Sequence, residues 1–292
     1  MKLEFVNKKN KYFTVRQVLK QEFKLSSRLI LKLKKHSMLF LNGENTFLDK
    51  KINEDDIITV YINFEEDNSN IVATRMNLDI LFEDEYLLIV NKPAGVPIHP
   101  SMDHFKDSLS SGVKHYFDMN NIHKKIRPVN RLDKNTSGIV IFAKNEYIQE
   151  RLSYQMATGE FLKEYIAICE GIFENTKGII DAPISRKDSS IIERCVRNDG
   201  ERAITEYIVQ RSFNNMSELK INLITGRTHQ IRVHMAYIGH PIVGDDLYGS
   251  PSPLINRQAL HAYKVCFIHP ITSKRINIFS KPPVDILKIL NN

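Results

Sequence analysis

Asn130-Arg131-Leu132-Asp133-Lys134-Asn135-Thr136-Ser137-Gly138-Ile139-Val140-Ile141-Phe142-Ala143 changes character two-thirds of the way along. Up to Gly138 it is mostly polar. The five residues after it are apolar without a break, and a run of that length bounded by turn residues reads as a buried strand. A carboxylate, Asp133, therefore sits in a loop that ends on a rigid element. A buried strand needs neighbours, and the surrounding sequence supplies candidates on both sides.

Strand patterns recur over 78–82, 87–91, 165–169, 204–210, 219–224, 265–269 and 276–279. Helices interrupt them: Ile148, Leu152 and Met156 share one helical face, and Ile231, Met235 and Ile238 another, with Gly239 as the C′ residue. Many strands with a few inserted helices predict an α+β domain on a mixed, largely antiparallel sheet with flanking helices, spanning 77–292. The polar stretch 65–76 reads as a linker. Ahead of it, Val15, Val18, Leu19 and Phe23 form one apolar helical face. Ser26 or Ser27 caps a second helix through Leu29 and Leu33, whose other face carries Arg28, Lys32 and Lys35. A strand at 38–41, a turn at Asn42-Gly43 and a strand at 57–62 complete a small α/β module over 1–64.

With 292 residues the chain suits two domains of unequal size. Residues 1–64 hold 13 Lys plus Arg against 7 Asp plus Glu, and the rest hold 28 against 27. Nearly all of the +7 net charge therefore lies on the first module, which suggests a polyanionic partner, RNA or DNA. The plainer alternative is a lysine-rich solvated surface. Cys169, Cys195 and Cys266 are scattered and odd in number, which fits a reducing cytoplasm rather than a disulfide framework or zinc knuckle. The first ten residues lack an apolar core, so no signal peptide is expected. No apolar run approaches the ~20 residues of a spanning helix.

Three segments carry polar residues at strand ends: 91–100 (NKPAGVPIHP), 130–138 (NRLDKNTSG) and 225–234 (TGRTHQIRVH). Singly, each has a modest explanation. Asp133 could accept turn amides, Thr228 could cap a helix and Arg232 could be a surface cation. Together they put a carboxylate and several guanidiniums at strand ends in a basic chain. His229, His234 and His240 do not share one helical face, and no acidic residue stands at ligand spacing, so no metal is expected.

NRLDKNTSGIVIFAKN resembles the RLDxxTSG signature of the RluA family of RNA pseudouridine synthases. KPAGVPIHP, KEYIAICEG and TGRTHQIRVHMAYIGHPIVGD are similar to that family's other blocks, in its order, over roughly residues 78–285. Leu41-Asn42-Gly43 followed by Glu54-Asp55-Asp56-Ile57-Ile58-Thr59-Val60 resembles the S4 RNA-binding module, which often precedes such a domain. The resemblance implies Asp133 as the essential aspartate, Tyr165 as the aromatic packing on the target base, and Arg232 as the arginine paired with the aspartate. Arg131 matches the residue that fills the gap left by a flipped uridine, and Lys92, Arg227, His229, Arg28, Lys32 and Lys35 are taken as further RNA contacts. Asn130 stands where the family commonly has His, which leaves that side chain's role open.

The implied reaction isomerises uridine to pseudouridine, with ribosomal RNA expected first, transfer RNA second, and a monomer acting. It breaks the uracil–ribose C–N bond, turns the base and rejoins it through carbon. The rearrangement is redox-neutral and intramolecular, and the chain has no GxGxxG, P-loop or HExxH, so no cofactor is expected. One carboxylate suffices, as nucleophile or as base. A buried carboxylate calls for a planar cation, and a base in a helix must flip out to be reached. Two other readings remain: a non-catalytic RNA-binding or ribosome-assembly protein, and an RNA glycosidase that releases free uracil.

Overall fold

The computed structural model describes residues 1–64, 66, 68–100 and 106–291. The chain opens with β1 (Lys2–Val6), a strand that the sequence reading missed and that pairs antiparallel with a later one. Helix α1 (Val15–Gln17) starts in a capping box: Thr14 Oγ1 accepts from Gln17 N and the Gln17 side chain accepts from Thr14 N. A wider helical turn continues to Glu22. Ser26 Oγ accepts from Leu29 N at 3.1 Å and starts α2 (Ser27–Lys35), which buries Leu29, Ile30 and Leu33 as its spacing demands. Then come β2 (Leu39–Leu41), β3 (Glu44–Asn45) and β4 (Ile57–Tyr61), in a sheet ordered β1-β4-β2-β3. Asn42 and Gly43 both have positive φ, the two-residue turn that an Asn-Gly pair favours.

Residues 66 and 68–76 form no strand or helix and lie along the second part of the chain; 65 and 67 of the expected linker fall outside the described residues. Glu66 pairs with Arg127, and the Asn68 side chain bonds Lys124 O and Ile126 N at 2.8 Å. One apolar cluster runs unbroken from Val15, Leu19 and Leu33 to Ile89, Ile141 and Ile148.

The second part contains β5 (Asp79–Glu83), β6 (Leu87–Lys92), α3 (Leu109–Met119), β7 (Ser137–Ala143), α4 (Glu146–Thr158) and β8 (Leu162–Glu170). It continues through β9 (Lys177–Asp181), β10 (Ile184–Arg186), β11 (Arg194–Val196), β12 (Ile204–Phe213) and β13 (Met216–Leu223). Helix α5 (Gln230–Tyr237), β14 (Leu260–Ile268), β15 (Arg275–Phe279) and α6 (Val284–Asn291) close the chain. Among the described residues the main sheet runs β5-β6-β7-β14-β8-β13-β12-β9, with β15 beside β14. Only β7 and β14 run parallel there; the α+β reading holds.

Strand β7 explains its own composition. Ile139 and Ile141 face the cluster shared with α4 and the N-terminal module, whereas Val140 and Phe142 face the cluster under α3. Both faces are covered, so alternation disappears and five apolar residues follow one another. Gly138 at the strand's start has φ +115°, and a Cβ there would stand 2.3 Å from Ala262 O of β14. Only glycine lets these backbones approach. No helix of the described residues is long and apolar enough to cross a membrane.

Candidate active site

The loop before β7, the start of β8 and the start of α5 meet at a cleft of about 570 Å³. Asp133, Tyr165 and Arg232 all line it, so the three residues expected to act together do converge. Asp133 is held by its own turn, in which Thr136 N donates to Asp133 O at 3.1 Å. The carbonyls of that turn are tied down from outside. Lys134 O accepts from Gly95 N at 3.0 Å and from Lys92 Nζ at 2.8 Å, and Asn135 O accepts from Arg257 Nη1 at 3.1 Å. Arg257 is in turn fixed by Asp285 at 2.7 and 3.0 Å. Thr136 Oγ1 accepts from Gln258, and Ser137 Oγ lies 3.0 Å from His261 Nδ1.

Lys92 needs correcting as an RNA contact. Its side chain has no exposed surface, and its ammonium donates to Pro93 O, Val96 O and Lys134 O, each at 2.8 Å. Burial pushes its pKa down to about 7, the Asp133 charge opposing. Its place is under the Asp133 loop, not against a phosphate. Lys32 is likewise engaged: its Nζ lies 2.8 Å from Glu146 and 3.9 Å from the Phe64 ring centre. Arg227 pairs with Glu201 at the cleft rim and donates to Arg202 O. Arg131 is exposed at the mouth and donates to Thr228 Oγ1 at 3.2 Å. Arg28 and Lys35 are exposed on α2.

Arg232 serves two carboxylates. Its Nε and Nη2 donate to Asp245 at 2.7 and 2.8 Å, and Nη1 reaches Asp133 Oδ2 at 3.3 Å. The expected partner is thus the second of two. Burial works against the guanidinium's charge, but the bonds to Asp245 and the nearby carboxylates outweigh it and raise its pKa above the ordinary value. Asp245 was missed because it reads as a turn residue beside Asp246 in a Gly-rich stretch. Tyr165 is buried; burial, reinforced by the Asp133 charge, pushes its phenol upward and keeps it neutral.

Helix α5 does not start on a Thr228 cap. His229 occupies the cap position with φ +57°, and no side chain caps there. The work passes to Gln230, whose Oε1 accepts from Arg227 N at 2.9 Å and Thr225 Oγ1 at 2.8 Å. His229 points into the cleft, Nε2 at 3.9 Å from Asp133 and Nδ1 at 2.8 Å from Tyr248 Oη. Tyr248 Oη also accepts from Arg194 N at 2.8 Å, so the same hydroxyl ties His229 to β11. Burial lowers the His229 pKa, with Asp133 pulling the other way. His234 is bonded to Thr205 and Ala182, and His240 to Glu170 O. Asn130 bonds Ile139 O and Ile141 N, both at 2.9 Å, so it extends the backbone pairing beside β7. Lys163, also in the cleft, was missed. It is half-buried, its pKa is lowered by burial, and no carboxylate pairs with it among the described residues.

A family model described as RNA pseudouridylate synthase matches residues 86–237. Over 270 residues the chain is 37% identical to the uncharacterized RNA pseudouridine synthase YjbO of Bacillus subtilis, covering 92% of this chain and 95% of that one. It is 34% identical over 269 residues to the ribosomal large subunit pseudouridine synthase D of Blochmanniella floridana, covering 85% and 84%. The solved structure of human RNA pseudouridylate synthase domain containing 1 matches in fold, with a TM-score of 0.59 and 24% identity over 71% of this chain and 84% of that one.

Proposed function

The chain belongs to the RNA pseudouridylate synthase family, and from that premise we propose that Asp133 is the catalytic carboxylate of a uridine isomerase acting on ribosomal RNA. The enzyme is an RNA pseudouridine synthase of the RluA type. The observation that carries the residue assignment is the convergence of Asp133, Tyr165 and Arg232 in one cleft, with a guanidinium 3.3 Å from the carboxylate.

In this reading the target uridine flips into the cleft, Tyr165 packs on the uracil, and Arg131 at the mouth fills the space left in the RNA. Asp133 either bonds to C1′ as the C–N bond breaks and is displaced when C5 attacks C1′, or takes the C2′ proton as that bond breaks and returns it once C5 has bonded. The uracil turns and bonds through C5, N1 gains a proton and the C5 proton leaves to water. Arg232 neutralises Asp133, and His229 stands 3.9 Å from the same carboxylate. The basic N-terminal module, of the S4 type, holds the structured part of the RNA. Large-subunit RNA is the preferred substrate, as the name of the Blochmanniella relative suggests, with transfer RNA second. The protein acts as a monomer in the cytoplasm.

The test is tritium release from 5-[³H]uridine-labelled ribosomal and transfer RNA transcripts, with free uracil assayed alongside. Wild type should release tritium without free base. Asp133→Asn should fall below about one per cent of that rate while RNA affinity stays within about tenfold, since an amide is neither nucleophile nor base. Substantial turnover by Asp133→Asn would reject the assignment, and free uracil would mark a glycosidase.

A further inference from the structure

A second cavity, of about 910 Å³, lies between the start of α2 in the N-terminal module and α4 in the main domain. Five cations line it (Lys24, Arg28, Lys125, Arg127 and Arg151) against two carboxylates, Glu146 and Glu150. Glu146 pairs with Lys32 at 2.8 Å; Glu150 Oε1 accepts from Ser26 Oγ at 2.6 Å, and its buried Oε2 has no hydrogen-bond partner among the described residues, so one carboxylate charge stands against the cations. Arg127 is bound to Glu66. Among the described residues, Lys24, Arg28, Lys125 and Arg151 form no ion pair, and their charge is left facing the groove. Tyr154 on its wall is 51% exposed, with the Arg151 guanidinium 5.1 Å from the ring centre. Among the described residues no other ring packs on Tyr154, so apart from Arg151 its exposed face is open.

The groove adjoins the cleft. Ser153 of α4 lines both, and His99 on the groove side feels the charge of Arg131 on the cleft side. The contacts of Ser26 and Lys32 with α4 hold the two walls together, and the apolar cluster beneath them is continuous.

We propose that this groove is a second RNA site, which takes the single-stranded segment beside the target uridine, with its phosphates against Lys24, Arg28, Lys125 and Arg151 and one unstacked base on Tyr154. The inference rests on the isomerase reading for the identity of the strand. The combination favours RNA over another polyanion: cations alone attract any acidic surface, but a stacking face beside them suits an unpaired base. Part of the basic N-terminal surface then acts jointly with α4, on one continuous track into the cleft.

The test uses the full-length protein and a labelled oligouridylate of about 15 nucleotides, within the span such sites cover, so that no cellular target need be known. Anisotropy titrations across salt give the affinity and the slope of log K against log[salt]. Arg28→Ala with Arg151→Ala should weaken binding at least about fivefold and flatten the slope by about 1.4, roughly 0.7 for each single-strand phosphate contact. Arg28→Lys with Arg151→Lys should restore the slope. Tyr154→Ala should weaken binding about tenfold and leave the slope alone, as a lost stack does. With a substrate transcript, the losses should fall on the KM of tritium release. Unchanged affinity and slope in the alanine pair would overturn the proposal. So would a normal Tyr154→Ala, which would leave a general polyanion surface. Should wild type release no tritium from any RNA, the isomerase reading fails, while the binding slopes still decide the groove.

Discussion

Replacing Arg232 by methionine separates the two carboxylates that share it. The side chain is 7% exposed and gives Asp245 two short bonds, at 2.7 and 2.8 Å, but Asp133 one longer bond, at 3.3 Å. Asp245 has no exposed surface, and apart from Arg232 it accepts from Leu247 N and Tyr248 N at 3.1 Å. Methionine would therefore leave a buried carboxylate with two backbone donors and no cation, a loss of about 3–5 kcal/mol. Asp133 has a quarter of its side chain exposed and can regain water. Charge-assisted bonds contribute about 1.5–3 kcal/mol each when buried and well aligned, so a double-mutant cycle with Asp245→Asn should give a coupling of about 3 kcal/mol in urea unfolding. The matching cycle with Asp133→Asn should give less than about 1 kcal/mol. Arg232→Lys should rescue little of either stability or tritium release, because an ammonium cannot span two carboxylates in one plane. A larger coupling to Asp133 than to Asp245 would refute this division, and so would an Arg232→Met protein of wild-type stability.

Lys92→Met should lower stability by about 2–4 kcal/mol, since three carbonyls lose their common donor. It should leave the salt dependence of RNA binding unchanged, whereas a flatter slope would put Lys92 back among the phosphate contacts. A pH effect is expected at His261, whose Nε2 donates to Ser280 O at 2.9 Å while Ser137 Oγ donates to Nδ1, so the ring is held neutral. Burial lowers its pKa from 6.5 to about 4. Its folded value lies below the unfolded one, so this stability is fully present above pH 6.5 and is lost as pH falls towards 4, up to about 3 kcal/mol. Urea unfolding at pH 7 and 4.5 should show His261→Gln losing correspondingly less than wild type on acidification; equal losses would dismiss the ring as the cause.

What the sequence disclosed, and what it hid, follow from how local each cause is. Strand β7 was legible because burial on two faces leaves a mark on five successive residues. The helix through Ile148 and Leu152 was legible because one buried face repeats every four residues; the cap was narrowed to Ser26 or Ser27, of which Ser26 is the one, and Asn42-Gly43 read as a turn. Helix α3 was not legible, because its first turn, Leu109-Ser110-Ser111-Gly112, reads as loop and is buried only through packing under β6 and β7. Strand β1 was missed although Lys2-Leu3-Glu4-Phe5 alternates as a half-buried strand does, because it is short and its pairing partner lies more than fifty residues away. Among candidate site residues, Asp133 stood out as a carboxylate in a loop before a buried strand, and the family resemblance singled it out. Asp245 did not stand out: its burial is made by Arg232, thirteen residues back across a turn, and nothing in Gly244-Asp245-Asp246 marks which carboxylate turns inward.

Lys92 shows the same limit from the other side, and it bears on how the site is built. A lysine at the end of a strand in a basic protein invites a phosphate, and the reading by composition went that way. Folding instead closes the 91–100 segment over it, so that the ammonium meets Lys134 O from beneath while Gly95 N meets the same carbonyl from beside it. Arg257 does the same for Asn135 O from β14's approach, itself anchored on α6 through Asp285. Two cations are thus committed to main-chain carbonyls of one short loop, and the Asp133 carboxylate is left with a share of a third. A carboxylate on a surface loop would wander by more than the tolerance that bond-making at a flipped nucleotide allows. Binding the carbonyls on either side fixes the backbone while leaving the side chain partly exposed to its substrate. The cations of the signature segments therefore divide by burial rather than by motif. The buried ones, Lys92 and Arg257, shape the loop, and those at the rim and in the groove between α2 and α4 keep surface exposed to solvent.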